Sequence, residues 1–113
     1  MAQVEIMPAL LAEIHKKFKG ESVTILEHLK SLEQSLTKGK RIGVVQGLLI
    51  KELKYKSFRF YFVTDNNKLV FYNKGELVDI LLRFVRMTNK KRQQETIKEI
   101  KTILLKIGPY GFT

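Results

Sequence analysis

The 113-residue chain has no cysteine and no tryptophan, only two prolines, and about half as many acidic residues as basic ones. Without cysteine there are no disulfides and no thiolate zinc sites. Two histidines, His15 and His28, sit in separate helical segments, and no His/Asp/Glu cluster has metal-ligand spacing, so neither a metal nor a cofactor is expected. No apolar run approaches membrane-spanning length. No basic stretch followed by a sustained apolar one opens the chain, so a cytoplasmic protein is the expectation. What is present is charge and apolar mass. Twenty-one basic against 11 acidic residues give a net charge of +10, with 44% of the residues apolar. Length and composition predict one domain, 1–113, with a real core and an attraction to polyanions.

The organising stretch is Lys51 to Val63. From Phe58 to Phe62 the side chains alternate: Phe58, Phe60 and Phe62 point one way, Arg59 and Tyr61 the other. Lys54 and Lys56 precede this strand and share its polar surface if the step between them and Phe58 is a hairpin turn. A basic sheet face with phenols suits a phosphate-bearing ligand. An amphipathic strand with a solvated basic face fits the same pattern.

Before this stretch, Gln3 to Met7 alternates as a strand. Pro8 opens a helix with Leu10, Leu11, Ile14 and Phe18 at helical spacing, ending at Gly20. Ile25, Leu29, Leu32 and Leu36 stripe a second helix. The two form a helical hairpin. His15 and His28 could serve as general bases, but both lack a nucleophile or carboxylate partner and read as partly exposed helix histidines. Residues 37–43 form a Gly-Lys linker, and Val44 to Lys56 reads as one strand. Asp65-Asn66-Asn67-Lys68 is a hairpin turn, Leu69 to Tyr72 a strand, and Asn73-Lys74-Gly75-Glu76 another turn. In Leu77 to Met87 the residues Leu77, Leu81, Phe84 and Val85 also fit a helix face. Short, regular turn spacing and many β-branched and aromatic residues favour a last long strand. Thr88 or Asn89 caps a final helix with Ile97, Ile100, Leu104 and Ile107 inward, stopped at Gly108-Pro109. Lys90, Lys91 and Arg92 load its first turn, where a helix end can also hold anions. The order predicts an α+β fold: a mostly antiparallel β-sheet with an N-terminal helical hairpin packed on it and a C-terminal helix.

With these elements in place, the chain resembles the RelE/HigB/ParE toxin superfamily, in its HigB and phage-derived RelE-like branch. Gly47-Leu48 followed by Glu52-Leu53-Lys54 is similar to that branch's Gly-Leu and Glu-Leu-Arg run. Phe58-Arg59-Phe60-Tyr61-Phe62 resembles its aromatic-Arg-apolar-aromatic strand. Phe84-Val85-Arg86-Met87-Thr88-Asn89-Lys90 looks like its Phe-(Val/Ile)-Lys-Lys-Thr-Gln-Lys segment, and Glu95 stands where that branch opens its last helix. Leu82-Arg83 stands where His-Gly is common there.

The resemblance implies a RelE-like toxin of a type II toxin–antitoxin pair, an mRNA endonuclease (mRNA interferase) working on the ribosome. Its partners would be a cognate antitoxin protein, the ribosome and mRNA. No metal is needed when the ribose 2′-OH attacks the adjacent phosphate. Clustered cations replace histidine, because neighbouring positive charge lowers a lysine's pKa. The implied catalytic residues are Lys54 as base or electrostatic partner, Arg59 on the phosphate charge, and Arg86 as second phosphate cation. Lys51, Lys56, Lys90, Lys91 and Arg92 would hold RNA, with Tyr61 stacking on a base. Glu52 reads as a structural ion pair or a base. A ParE-like DNA gyrase inhibitor and a non-catalytic RNA- or protein-binding module share this fold. A membrane-surface role lacks the amphipathic basic helix it needs.

Overall fold

A computed structural model describes residues 3–35 and 38–108. Strand β1 (Gln3–Ile6) leads into α1 (Pro8–Phe18), with Pro8 in the first turn, where its missing N–H costs nothing. A single 3-10 turn at Lys19–Glu21 joins α1 to α2 (Ser22–Lys30), and a second, Ser31–Glu33, follows it. Of the expected stripes, Leu10, Ile14, Ile25, Leu29 and Leu32 are fully buried and Leu11 and Phe18 half-buried, while α2 ends at Lys30 and Leu32 lies in the 3-10 turn beyond it. Leu36 lies outside the described residues.

Four strands follow: β2 (Lys40–Val45), β3 (Leu48–Tyr55), β4 (Phe58–Asp65) and β5 (Lys68–Tyr72). Residues 44–56 are therefore two strands, not one. Gln46 and Gly47, with φ of 52° and 81°, make a tight turn between them. Glycine tolerates that conformation and glutamine rarely adopts it, so only half of the turn was written in the sequence. The sheet order is β1-β5-β4-β3-β2, antiparallel except for the parallel pair β1 and β5.

The largest departure follows β5. Residues 74–87, expected as a turn and a strand, form helix α3 (Lys74–Met87). Asn73 is its N-cap. The Asn73 Oδ1 accepts from the Glu76 backbone N–H at 2.7 Å, and Glu76 reaches back to the Asn73 N–H. This capping box, Asn-x-x-Glu ahead of an apolar run, had been read as turn chemistry. Leu77 and Leu81, one helical turn apart, are fully buried. The helical spacing of apolar residues won over β propensity. The segment likened to the toxin branch's basic strand end is thus the last turn of a helix and the loop after it, and because the resemblance requires a strand there, the helix counts against that family. Helix α4 (Lys90–Ile107) follows, capped by the Asn89 side chain on the Arg92 N–H.

The sheet is consequently covered on both sides. Phe60, Phe62, Leu53 and Phe71 pack with α1 and α2. Tyr61, Val63, Ile50, Ile42 and Val45 pack with Leu77 and Leu81 of α3 and Ile100, Ile103 and Ile107 of α4. The second face, expected to be a solvated basic surface, is mostly core. Each buried isoleucine of α4 contributes roughly 1.5–3 kcal/mol. Among the described residues no helix is long and apolar enough to cross a membrane.

Candidate functional site

Register places the charges. Lys54 stands opposite Arg59, and Glu52 opposite Tyr61, across β3 and β4. Lys40 of β2 pairs with Glu52 on its other side. Strand alternation then puts Lys40, Glu52, Lys54, Arg59 and Tyr61 on the α4 face of the sheet. Helix α4 ends beside them. Its last turn lays Lys106 over β2, where the Nζ donates to the Ile42 carbonyl at 2.8 Å.

A cavity of about 150 Å³ is lined by Lys40, Arg41, Ile42, Glu52, Arg59 and Lys106. It sets the cations of Lys40, Arg59 and Lys106 around the Glu52 carboxylate, with Arg41 lining it from the strand position that alternates to the other face. Glu52 is nearly buried, and its Oε2 lies 3.9 Å from Arg59 Nη1. A neighbouring groove of about 420 Å³ shares Lys40 and Glu52 and adds Lys54, Lys38 and His28. Excess positive charge in so small a volume favours an anion with several oxygens, which Arg59 can meet bidentately.

Tyr61, opposite Glu52 across β3 and β4, lines neither cavity. It is 2% exposed, and its hydroxyl makes no hydrogen bond of ordinary geometry among the described residues. Burial, reinforced by the negative charge of Glu52, holds its phenol above the usual value, against the pull of Arg59. The ring has no face open to a base, so the expected stacking role does not hold.

The other expected site residues are scattered. Lys56 sits in the β3–β4 turn with φ 53°, and its Nζ donates to Glu21 Oε2 at 3.0 Å. Tyr55 donates to the same oxygen, also at 3.0 Å. The Lys56 hydrogen bond, then that of Tyr55, holds the Glu21 carboxyl below the usual range. Lys51 alternates away from Glu52, onto the sheet's α1–α2 face beside Arg41. Arg86, Lys90, Lys91 and Arg92 are exposed where α3 meets α4. That end is fixed by Gln46, whose Nε2 donates to the hydroxyls of Thr88 and Thr96. Gln46 follows the end of β2, whereas Lys106 lies near its start, so α4 runs antiparallel to β2. The two basic clusters therefore stand at opposite ends of a helix about 27 Å long at 1.5 Å per residue. Arg86 is not part of the cleft.

Three lining residues stand outside the expected site. Lys40 falls in the expected linker, whose cations could touch phosphate. Lys106 carries no mark in the sequence beyond its charge. His28, expected as a partly exposed helix histidine, is half-buried. Its Nε2 lies 3.1 Å from the Lys54 carbonyl, which can only accept, so Nε2 carries the proton. Among the described residues no group of three or more His, Asp or Glu side chains could hold a metal ion. A larger cavity, about 700 Å³, lies apart from the cleft between the β4–β5 face and α3, with Asp65, Glu76 and Asp79 among its lining residues. Comparison with protein-family models, with curated proteins and with solved structures finds no match to this chain.

Proposed function

We propose that the chain binds RNA by a backbone phosphodiester held among Lys40, Lys54, Arg59 and Lys106, and that it acts as a toxin-type endoribonuclease on ribosome-bound mRNA. The observation that carries the binding is the cross-strand pair Lys54–Arg59, with Lys40 and Lys106, around Glu52, which lines both cavities. The cleavage rests on the resemblance of Glu52-Leu53-Lys54 and Phe58 to Phe62 to the HigB branch. In that step the ribose 2′-oxygen bonds to the adjacent phosphorus and the P–O5′ bond breaks. The products are a 2′,3′-cyclic phosphate and a 5′-hydroxyl. The 2′-OH proton leaves to a base and the departing 5′-oxygen gains one. Arg59 stabilises the charge on the phosphate oxygens, and Lys54 assists as base or electrostatic partner.

One observation favours the alternative of a non-catalytic RNA-binding module. Helix α3 carries Arg86 away from the cleft, which removes one of the three cations assigned to the step.

The test is wild-type protein co-expressed with the product of the adjacent reading frame, freshly released from it and added to translating ribosomes. Cut mRNA ending in a 5′-hydroxyl is the expected result. Uncut mRNA overturns the enzyme reading, and failure of the two proteins to co-purify at physiological salt overturns the toxin reading. A DNA-damage response without cut mRNA replaces the ribonuclease with a gyrase inhibitor.

A further inference from the structure

We infer that the outer ridge of α4 is a path for single-stranded RNA, joining the cleft to the basic cluster at the helix start. The inference rests on the RNA-binding reading of the cleft and specifies its ligand: a polynucleotide that runs along the helix, not a mononucleotide. The buried face of α4 is Thr96, Ile100, Ile103 and Ile107. The opposite face, at alternating spacings of three and four, is Lys91, Gln94, Lys98, Lys101 and Leu105, every one exposed. No carboxylate interrupts that line. The acidic residues of the helix, Glu95 and Glu99, lie to its side, in the groove they share with Gln46, Gly47 and Arg92.

None of Lys91, Lys98 and Lys101 forms an ion pair with another described residue. Their charge is therefore available to an external polyanion. The row is one cation wide on a convex support, which fits the phosphates of one strand better than the two rows of a duplex. Leu105, 82% exposed, stands one residue before Lys106 and offers an apolar surface to a base at the cleft end. From Lys91 to Lys106 the path is about 22 Å. That corresponds to roughly seven nucleotides at about 3.4 Å per stacked base.

The experiment measures binding of oligouridylates of about four and about twelve nucleotides by fluorescence anisotropy over a range of salt. Wild-type protein is compared with the double variant Lys98→Ala/Lys101→Ala, whose fold is checked by circular dichroism and melting. Wild type is expected to bind the longer RNA at least about tenfold more tightly, with a steeper salt dependence. The double variant is expected to lose most of that gain, its log–log salt slope for the longer RNA falling by about 1.4, while the shorter RNA binds as before. Equal affinity of wild type for both lengths overturns the path, as does a double variant that keeps the full gain. Tighter binding of duplex DNA than of RNA of equal length also overturns it. Ridge-dependent binding of the longer RNA that Arg59→Ala leaves unchanged overturns the cleft reading and keeps the path. Absence of binding at either length overturns both.

Discussion

Lys54 and Arg59 face each other across β3 and β4, and the Glu52 carboxylate reaches Arg59 at 3.9 Å on the same face. Like charges directly opposite on a sheet repel. The pair is tolerated because Glu52 offsets part of that repulsion.

Glu52→Gln keeps the shape and removes the charge. It is expected to destabilise the fold by roughly 1–3 kcal/mol, below the range for a fully buried pair because Arg59 keeps some solvent contact. Added phosphate should restore part of the melting temperature by binding the uncompensated cations. RNA affinity should rise. Cleavage measured at saturating RNA separates the two roles of Glu52: a structural ion pair leaves the rate intact, whereas a base takes it away.

Tyr61→Phe removes a buried hydroxyl that makes no hydrogen bond of ordinary geometry among the described residues. At neutral pH the variant is expected to be as stable as wild type or more so, by up to about 1 kcal/mol. Alkaline pH reverses the view of the phenol. Its folded pKa is raised, by burial first, above the unfolded value near 10. The stability linked to it is therefore complete below about pH 10 and is lost as pH rises through the folded value. The folded pKa values of Tyr55 and Tyr72 are raised as well, with burial the leading cause. Melting temperatures from about pH 8 to about pH 11 should fall less steeply for Tyr61→Phe than for wild type, without becoming flat.

The hairpin helices and the β4–β5 hairpin were legible because each carries local marks: Pro8, the Leu10–Ile14 spacing, and Asn66-Asn67 between alternating runs. The Lys54–Arg59 pair was legible for the same reason, since a two-residue turn at Lys56-Ser57 fixes which residues oppose each other. The second face of the sheet was not. Arg59 and Tyr61 have the same parity, yet Tyr61 is core while Arg59 sits at the margin. That difference depends on where α4 ends. Lys106 comes to the cleft only through helix-on-sheet packing, its Nζ meeting the Ile42 carbonyl 64 positions away in the chain. Along α4 the expected inward residues Ile97 and Leu104 are only half-buried, and Ile103 is fully buried instead, because the helix leans toward β2.

Asn73→Ala tests the capping box that turned an expected strand into α3. The substitution leaves the Glu76 N–H without its acceptor and also removes the hydrogen bond from Asn73 Nδ2 to Glu13 Oε1, 2.8 Å. A loss of about 1 kcal/mol is expected, within the usual 0.5–2 for a lost cap. Asn73→Asp should retain most of the cap and give up the Glu13 contact. Denaturant midpoints of the two variants, compared at equal slope, check the order. An alanine variant as stable as wild type would mean that packing of Leu77 and Leu81 alone holds the helix.

Gly43→Ala tests the seat of α4 and, through it, the cleft. A Cβ added at Gly43 would lie 2.8 Å from Ile103 Cγ1 and 3.4 Å from its Cδ1. Ile103 is fully buried and has no free space to retreat into. The helix must lift from β2, at a cost of about 1–3 kcal/mol for overpacking. Lys106 would then lose its position over the Ile42 carbonyl, so the affinity for a short RNA should drop together with stability. Ile103→Val in the same chain removes the clashing methylene's neighbour and should return part of both losses, more than the two single changes would give if they simply added. Urea unfolding and four-nucleotide binding, measured on the single and double variants, follow the two quantities. Loss of stability with unchanged binding would show that the cleft does not depend on where α4 sits, and Lys106 would then drop out of the site.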